Sequence, residues 1–305
     1  MKQLVYCFLI LLTTASCSDS GNPEEKNPDQ EKTDTLAVKP GEKVSDSIPK
    51  RNPVVYDLNP VQLKKLSKLL PEKTVNAITS YLTDLAMVQT DVDFASVYHN
   101  GKKLFKEIEK AVSSKFPDGY QAMEAMSFIN KSFALRSSCE AECTEFVIDY
   151  SFKDLQKLAL YTKGKADDDF MKLKIMAEGE QGRHTPGWLS FFERTWDYGG
   201  GSLLGDTNNY NFLETSFQVI QKSDLFKKDL LELRERVLGD MEHRIYMYPK
   251  AAVMAEINRI LKTKILSYTE AHRILLLRQR IERDKEDPAL QFDCADPGKN
   301  CDWGG

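Results

Sequence analysis

Residues 178–210 hold the densest set of side chains able to do chemistry in this 305-residue chain. Seven of its 16 glycines and two of its three tryptophans, Trp188 and Trp196, fall there, beside Glu178, His184, Glu193, Asp197, Asn208, Asn209 and Tyr210. Such a mixture suits a carbohydrate. Aromatic faces stack on sugars, amides bond hydroxyls, and an apolar wall raises one carboxyl pKa for general-acid work. On that reading Glu193, Asp197 and His184 are the candidate catalytic groups. Trp188, Trp196, Asn208, Asn209 and Tyr210 are then the candidate binding surface. The same residues also admit a structural reading. Thr185-Pro186 can open a short helix on which Trp188, Leu189, Phe192 and Trp196 pack as core, with Gly199-Gly200-Gly201 as a plain connector.

Other chemistries lack their motifs. The glycine triplet is no GxGxxG fingerprint, and no Gly-Lys-Ser/Thr follows it, which argues against nucleotide binding. Of the four histidines, His99, His184, His243 and His272, none sits in HExxH. Asp240 and His243 share a helix face, but nothing supplies a matching second pair, so no metal or other cofactor is expected. A Gly-x-Ser-x-Gly elbow is absent too.

Helices must position whatever site exists. Asn59-Pro60 reads as an N-cap and first-turn proline, opening a helix that ends near Leu70. Pro71 opens the next, with Val75, Ile78, Leu82 and Leu85 on one face, and a third follows Asp93 from Phe94 to Val112. Ala122, Met126, Ile129 and Phe133 mark a fourth. Phe152, Leu155 and Leu158 mark a fifth, closed by Gly164; Phe170, Leu173 and Met176 mark a sixth. Ser223 caps a helix running through Leu230, Val237 and Met241. Pro249 starts a long run through Ile257, Ile274 and Ile281. No long period-two alternation and no Asn-Gly hairpin signal stands out. The fold expected is all-α, an irregular multi-helix bundle or orthogonal helical array, with a sub-boundary near 178–210.

Cys139, Cys143, Cys294 and Cys301 form an even set, expected as disulfides in an exported chain. Local pairing closes short loops worth roughly 2–2.5 kcal/mol each, whereas cross-pairing staples the tail to the middle. Local pairing is favoured, since the tail from Asp293 is turn-rich, but it needs irregular backbone between Cys139 and Cys143. Residues 244–285 carry ten Lys/Arg against four Asp/Glu. Arg273, Arg280 and Arg283 fall roughly on one side of that run, either as a stripe toward anionic lipid or as a solvated face paired with acidic neighbours.

Composition narrows the class. The chain is 41% hydrophobic and 29% charged, with net charge −4, and its mean hydropathy is −0.45. That excludes a wholly disordered chain and a polytopic membrane protein, and it argues against a dedicated nucleic-acid binder. Residues 1–16 follow the secretory pattern: Lys2, an apolar stretch from Leu4 to Leu12, then Thr13-Thr14-Ala15-Ser16. Small residues directly before Cys17 resemble the lipobox of bacterial lipoproteins, with Thr14 where that family usually carries leucine. The resemblance covers about the first 20 residues and implies cleavage before Cys17 and acylation of it, an anchor worth about 0.8 kcal/mol per buried methylene. Ser18 rather than aspartate after Cys17, and acidic Asp19, Glu24 and Glu25 downstream, favour the outer membrane in the family's pattern.

Residues 17–53 are expected to be a lipid-anchored, disordered linker. From 18 to 53 the sequence has no aromatic residue, five prolines and fourteen charges, too little apolar surface to offset the entropy of ordering. Its maximum reach is on the order of 100 Å. Residues 54–305 form the helical domain. The function expected is a binding, accessory or assembly factor of the cell envelope, held to membrane by its anchor and engaging a protein or glycan but no nucleic acid. A glycan hydrolase using carboxylates of 178–210, or an inhibitor or immunity lipoprotein, are the other readings.

Overall fold

The computed structural model describes residues 58–131, 135–140, 143–179, 189–194, 200–296, 298–299 and 301. All of these belong to the unit spanning residues 47–305. Signal, linker and Cys17 therefore lie outside the described residues, as do His184, Trp188, Trp196 and Asp197.

The architecture is all-α, with ten α-helices and two small sheets among the described residues. The first three helices are α1 (Pro60–Leu69), α2 (Glu72–Ala86) and α3 (Asp91–Ser113). Their starts are written locally. Asn59 and Gln62 form a capping box on α1 with its proline in the first turn, and Pro71 precedes α2. Thr90 and Asp93 form a second box on α3, so that helix begins at Asp91, three residues earlier than its apolar period indicates. Next come α4 (Gly119–Met126) and a 3-10 turn, Ser127–Lys131.

A β-hairpin follows where no strand is expected from the sequence: β1 (Leu135–Glu140) antiparallel to β2 (Glu145–Tyr150). Its signal is short. Phe146, Ile148 and Tyr150 alternate inward, three positions of period two with a polar partner strand, too brief to stand out against the helices around it. The hairpin's turn supplies the irregular backbone that local disulfide pairing requires. Cys139 lies in β1, Cys143 has a φ of 65°, and the two are bridged with Cα atoms 4.6 Å apart. Cys294 and Cys301 are bridged likewise, at 5.8 Å. Both disulfides are local.

The chain continues through α5 (Phe152–Ala159), α6 (Ala166–Glu178), β3 (Phe192–Arg194), β4 (Gly200–Ser202), α7 (Asn208–Lys222), α8 (Lys227–Met241), α9 (Lys250–Lys262) and α10 (Tyr268–Glu282). Three local expectations are corrected. Phe192 belongs to a strand paired with β4, not to a helix; Gly200 lies opposite Arg194, where a Cβ would strike the Glu193 carbonyl and the Phe192 ring, so its absence lets the strands close. Ser223 ends α7 and its hydroxyl accepts from Leu225 N–H, so α8 starts beyond it. The run from Pro249 to Ile281 is two helices, because Ser267 and Glu270 form a capping box that starts α10 afresh.

One hydrophobic core runs through nearly all the helices, with Phe94, Tyr98, Phe152, Phe170, Phe212 and Phe226 fully buried. Helix α3 packs on α2 and on β2, and α6 meets α3, α5, α7 and α8. Gly101 permits the closest of these approaches. A Cβ there would run into the Tyr150 hydroxyl and the Tyr81 ring, both buried. Gly101→Ala is expected to cost about 1–3 kcal/mol despite alanine's better helix propensity, with the loss read by urea denaturation. A neutral or stabilising result would mean that β2 can move off α3 freely.

Candidate functional site

The residues singled out by sequence do not gather into one described site. Glu193 is exposed on β3. Asn208, Asn209 and Tyr210 form the first turn of α7, where they belong to the helix start rather than to an open cleft. Asn208 bonds to Asp206. Asn209 is completely buried, and its side-chain amide meets no partner among the described residues. The Tyr210 hydroxyl donates to Glu214, and Arg259 lies 3.7 Å above its ring. Beneath them the buried Glu256 carboxylate accepts the backbone N–H groups of Gly205, Thr207 and Tyr210. An anion therefore already occupies that helix N-terminus, supplied by the protein itself. Burial pushes the Glu256 carboxyl above its ordinary pKa, and the three amides only partly offset this.

Arg273 and Arg280 are not a stripe toward lipid. Arg273 pairs with Glu242 and Glu235, and Arg280 donates to the carbonyls of Glu242 and His243. Both arginines thus close the C-terminal end of α8, where cations complement the helix dipole. Asp240 and His243 sit near that end. Among the described residues no three His, Cys, Asp or Glu side chains gather as a metal site.

The site that does converge lies elsewhere. A cleft of about 470 Å³ opens between α3, β2, α6 and α8, within the range usual for small-molecule sites. Apolar periodicity explains its position: α3 turns Tyr98 and Phe105 inward, β2 supplies Ile148 and Tyr150, and α8 supplies Leu233. Tyr98 and Tyr150 stack with ring centres 4.8 Å apart, and Phe105 lies edge-on to Tyr150 at 4.5 Å. Over this aromatic base stand ionic groups that the helical period assigns to the core face.

Lys174 is 8% exposed and Glu178 9%, one turn apart on α6. Their side chains meet at 2.6 Å, and Arg236 Nη1 donates to the other Glu178 oxygen at 2.6 Å. Lys174 Nζ also lies 4.9 Å from the Phe152 ring centre. Across the cleft the buried Asp229 takes His99 Nε2 at 2.8 Å and Lys102 Nζ on its second oxygen. Burial pushes the Asp229 carboxyl up, but Lys102 and His99 together outweigh it and hold it below the ordinary range. Burial also pushes the Tyr150 phenol well up, so it stays protonated and donates to the Tyr98 carbonyl.

This constellation has a sequence signal that motif searching passes over. Lys174 and Glu178 recur with Phe170 and Leu173 on the buried face of α6. Asp229 and Arg236 recur with Phe226 and Leu233 on α8 in the same way. Ions at core positions mark either an internal ion network or a binding site.

No protein-family model matches this chain, and neither a curated protein nor a solved structure matches it. Among the described residues no helix is long and apolar enough to cross a membrane.

Proposed function

We propose that this chain is a lipid-anchored protein of a bacterial cell envelope, tethered through Cys17 at the outer membrane. It works as a binding or accessory factor that takes part of a protein or glycan partner into the α3–β2–α6–α8 cleft. The observation that carries this reading is the cleft's ion network. Buried ion pairs generally contribute less to stability than apolar packing of equal volume, so two of them facing one cavity favour recognition as their role. The lipobox-like residues before Cys17 support the anchor, and the charge pattern of 18–53 supports a tether long enough to present the domain away from the headgroups.

The test is photo-cross-linking in cells from position 147 on β2, a residue that lines the cleft. It is run beside metabolic labelling with a clickable fatty acid. Expected are one dominant adduct, absent when the cross-linker is moved to the exposed position 285, and acyl label lost in Cys17→Ser. A position-independent smear of adducts rules out the cleft as the binding site. Acyl label that persists in the Cys17 variant rules out the anchor.

A further inference from the structure

Counting charges around the cleft's two buried carboxylates gives an excess of cations. Lys174 and Arg236 share Glu178, and Lys102 serves Asp229 together with the imidazole of His99. That places three permanent cations on two carboxylates. The rim's remaining carboxylates keep their charges, so the whole lining carries six Lys/Arg against five Asp/Glu, but each is held by a neighbour. Glu109 accepts from Ile148 N–H, Asp149 from Tyr150 N–H, and Glu232 lies 3.9 Å from Lys228.

Two further observations point the same way. Arg236 Nη2 is buried and has no acceptor among the described residues. A buried donor left without an acceptor is costly, and with Nη1 held by Glu178 it is Nη2 that remains for one oxygen of an oxyanion. On the lip, Lys103 and Lys106 are exposed and line the cleft; among the described residues neither makes an ion pair or hydrogen bond. The chain as a whole is acidic, with a net charge of −4, so this local excess does not follow from composition.

Resting on the cleft as the binding site, we infer that its ligand is a polyanion bearing carboxylate or phosphate groups. One acidic group meets Arg236 and Lys174 at the inner end, and a second is held by Lys103 and Lys106 at the lip. The aromatic base and Leu233 face the less polar body between them.

Calorimetric titration of the full chain in detergent tests this, with citrate and pyrophosphate as probes and potassium chloride holding ionic strength constant. At least one probe is expected to bind saturably at one site with Kd under about 1 mM. Lys106→Glu and Lys103→Glu are each expected to weaken it about tenfold without changing the melting temperature, because neither lysine has a partner to lose. Arg236→Gln is expected to weaken it further, but it also strips Glu178 of a partner, so the lysine variants decide. Citrate alone binding assigns carboxylates, pyrophosphate alone assigns phosphates, and both together assign a general polyanion site. Binding by neither probe, or equal affinity in both lysine variants, overturns the inference. A specific adduct from position 147 would in that case still stand, and the ligand would be an uncharged one.

Discussion

Replacing Arg234 by methionine is expected to lower the unfolding free energy by about 3–5 kcal/mol. Arg234 is 2% exposed, and its guanidinium joins four segments. Nε donates to Glu270 on α10 at 2.8 Å, Nη1 to the Leu213 carbonyl at 2.7 Å and the Ser216 hydroxyl at 2.8 Å, and Nη2 to the Ile265 carbonyl at 2.9 Å. Methionine fills similar length but donates nothing. It leaves two carbonyls and a carboxylate in a space shaped for a cation. Removing one member of a buried pair is far worse than replacing both, since the survivor keeps its desolvation cost.

The effect is pH-dependent. Burial pushes the Glu270 carboxyl up, and Arg234 with the Ser267 amide more than reverses this, leaving it below its ordinary 4.5. A depressed folded pKa means stability that is present above pH 4.5 and lost as pH falls through the folded value. The gap between the native chain and Arg234→Met should therefore be widest near neutrality and narrow in acid. Urea denaturation at pH 7 and pH 4 measures it. A loss under about 1 kcal/mol at pH 7 would show that the helices hold together without this arginine.

Asp240→Asn is expected to act in the opposite direction. Asp240 lies in the last turn of α8, where the helix dipole disfavours an anion, and its Oδ2 is buried with no partner among the described residues. Burial pushes its carboxyl from 3.8 to about 7, with Arg236 offsetting only part of the rise. A raised folded pKa means stability that is complete below 3.8 and lost as pH climbs through 7, because folding then holds a carboxylate out of water. Asparagine keeps the shape without the charge. The variant should match the native chain near pH 4 and exceed it at pH 8 by on the order of 2–4 kcal/mol. Thermal melts across that interval give the comparison. Parallel curves would show that Asp240 ionises without penalty, through a rearranged contact with Arg236.

Both predictions concern α8, and so does the cleft. Glu232 and Arg236 line the cavity, Arg234 faces the opposite interface, and Asp240 continues the Arg236 row one turn on. The two variants thus report on the scaffold of the binding face without altering the lip lysines that define its ligand.

What the residues alone determined is what their near neighbours decide. Helix starts at Asn59 and Pro71 are legible because a cap or a first-turn proline acts on amides a few residues away, whereas the capping box at Ser267, equally local, goes unread inside a continuous apolar run. The all-α architecture is legible because an apolar stripe of period 3.6 can be buried in few other ways. The two disulfides pair locally, as the turn-rich, self-contained tail from Asp293 leads one to expect. What tertiary structure alone decided is everything that depends on which faces meet. Three inward residues in β2 became a strand because α3 offers them a surface. Asn209 and Tyr210, conspicuous beside the glycines, became the underside of a helix start because Glu256 arrives from 46 residues further along to take the Tyr210 amide. Lys102, Lys174 and Arg236 are ordinary helical residues until α3, α6 and α8 pack around one cavity. A cation's chemistry is set by the groups that surround it in space, and those were drawn from segments more than a hundred residues apart.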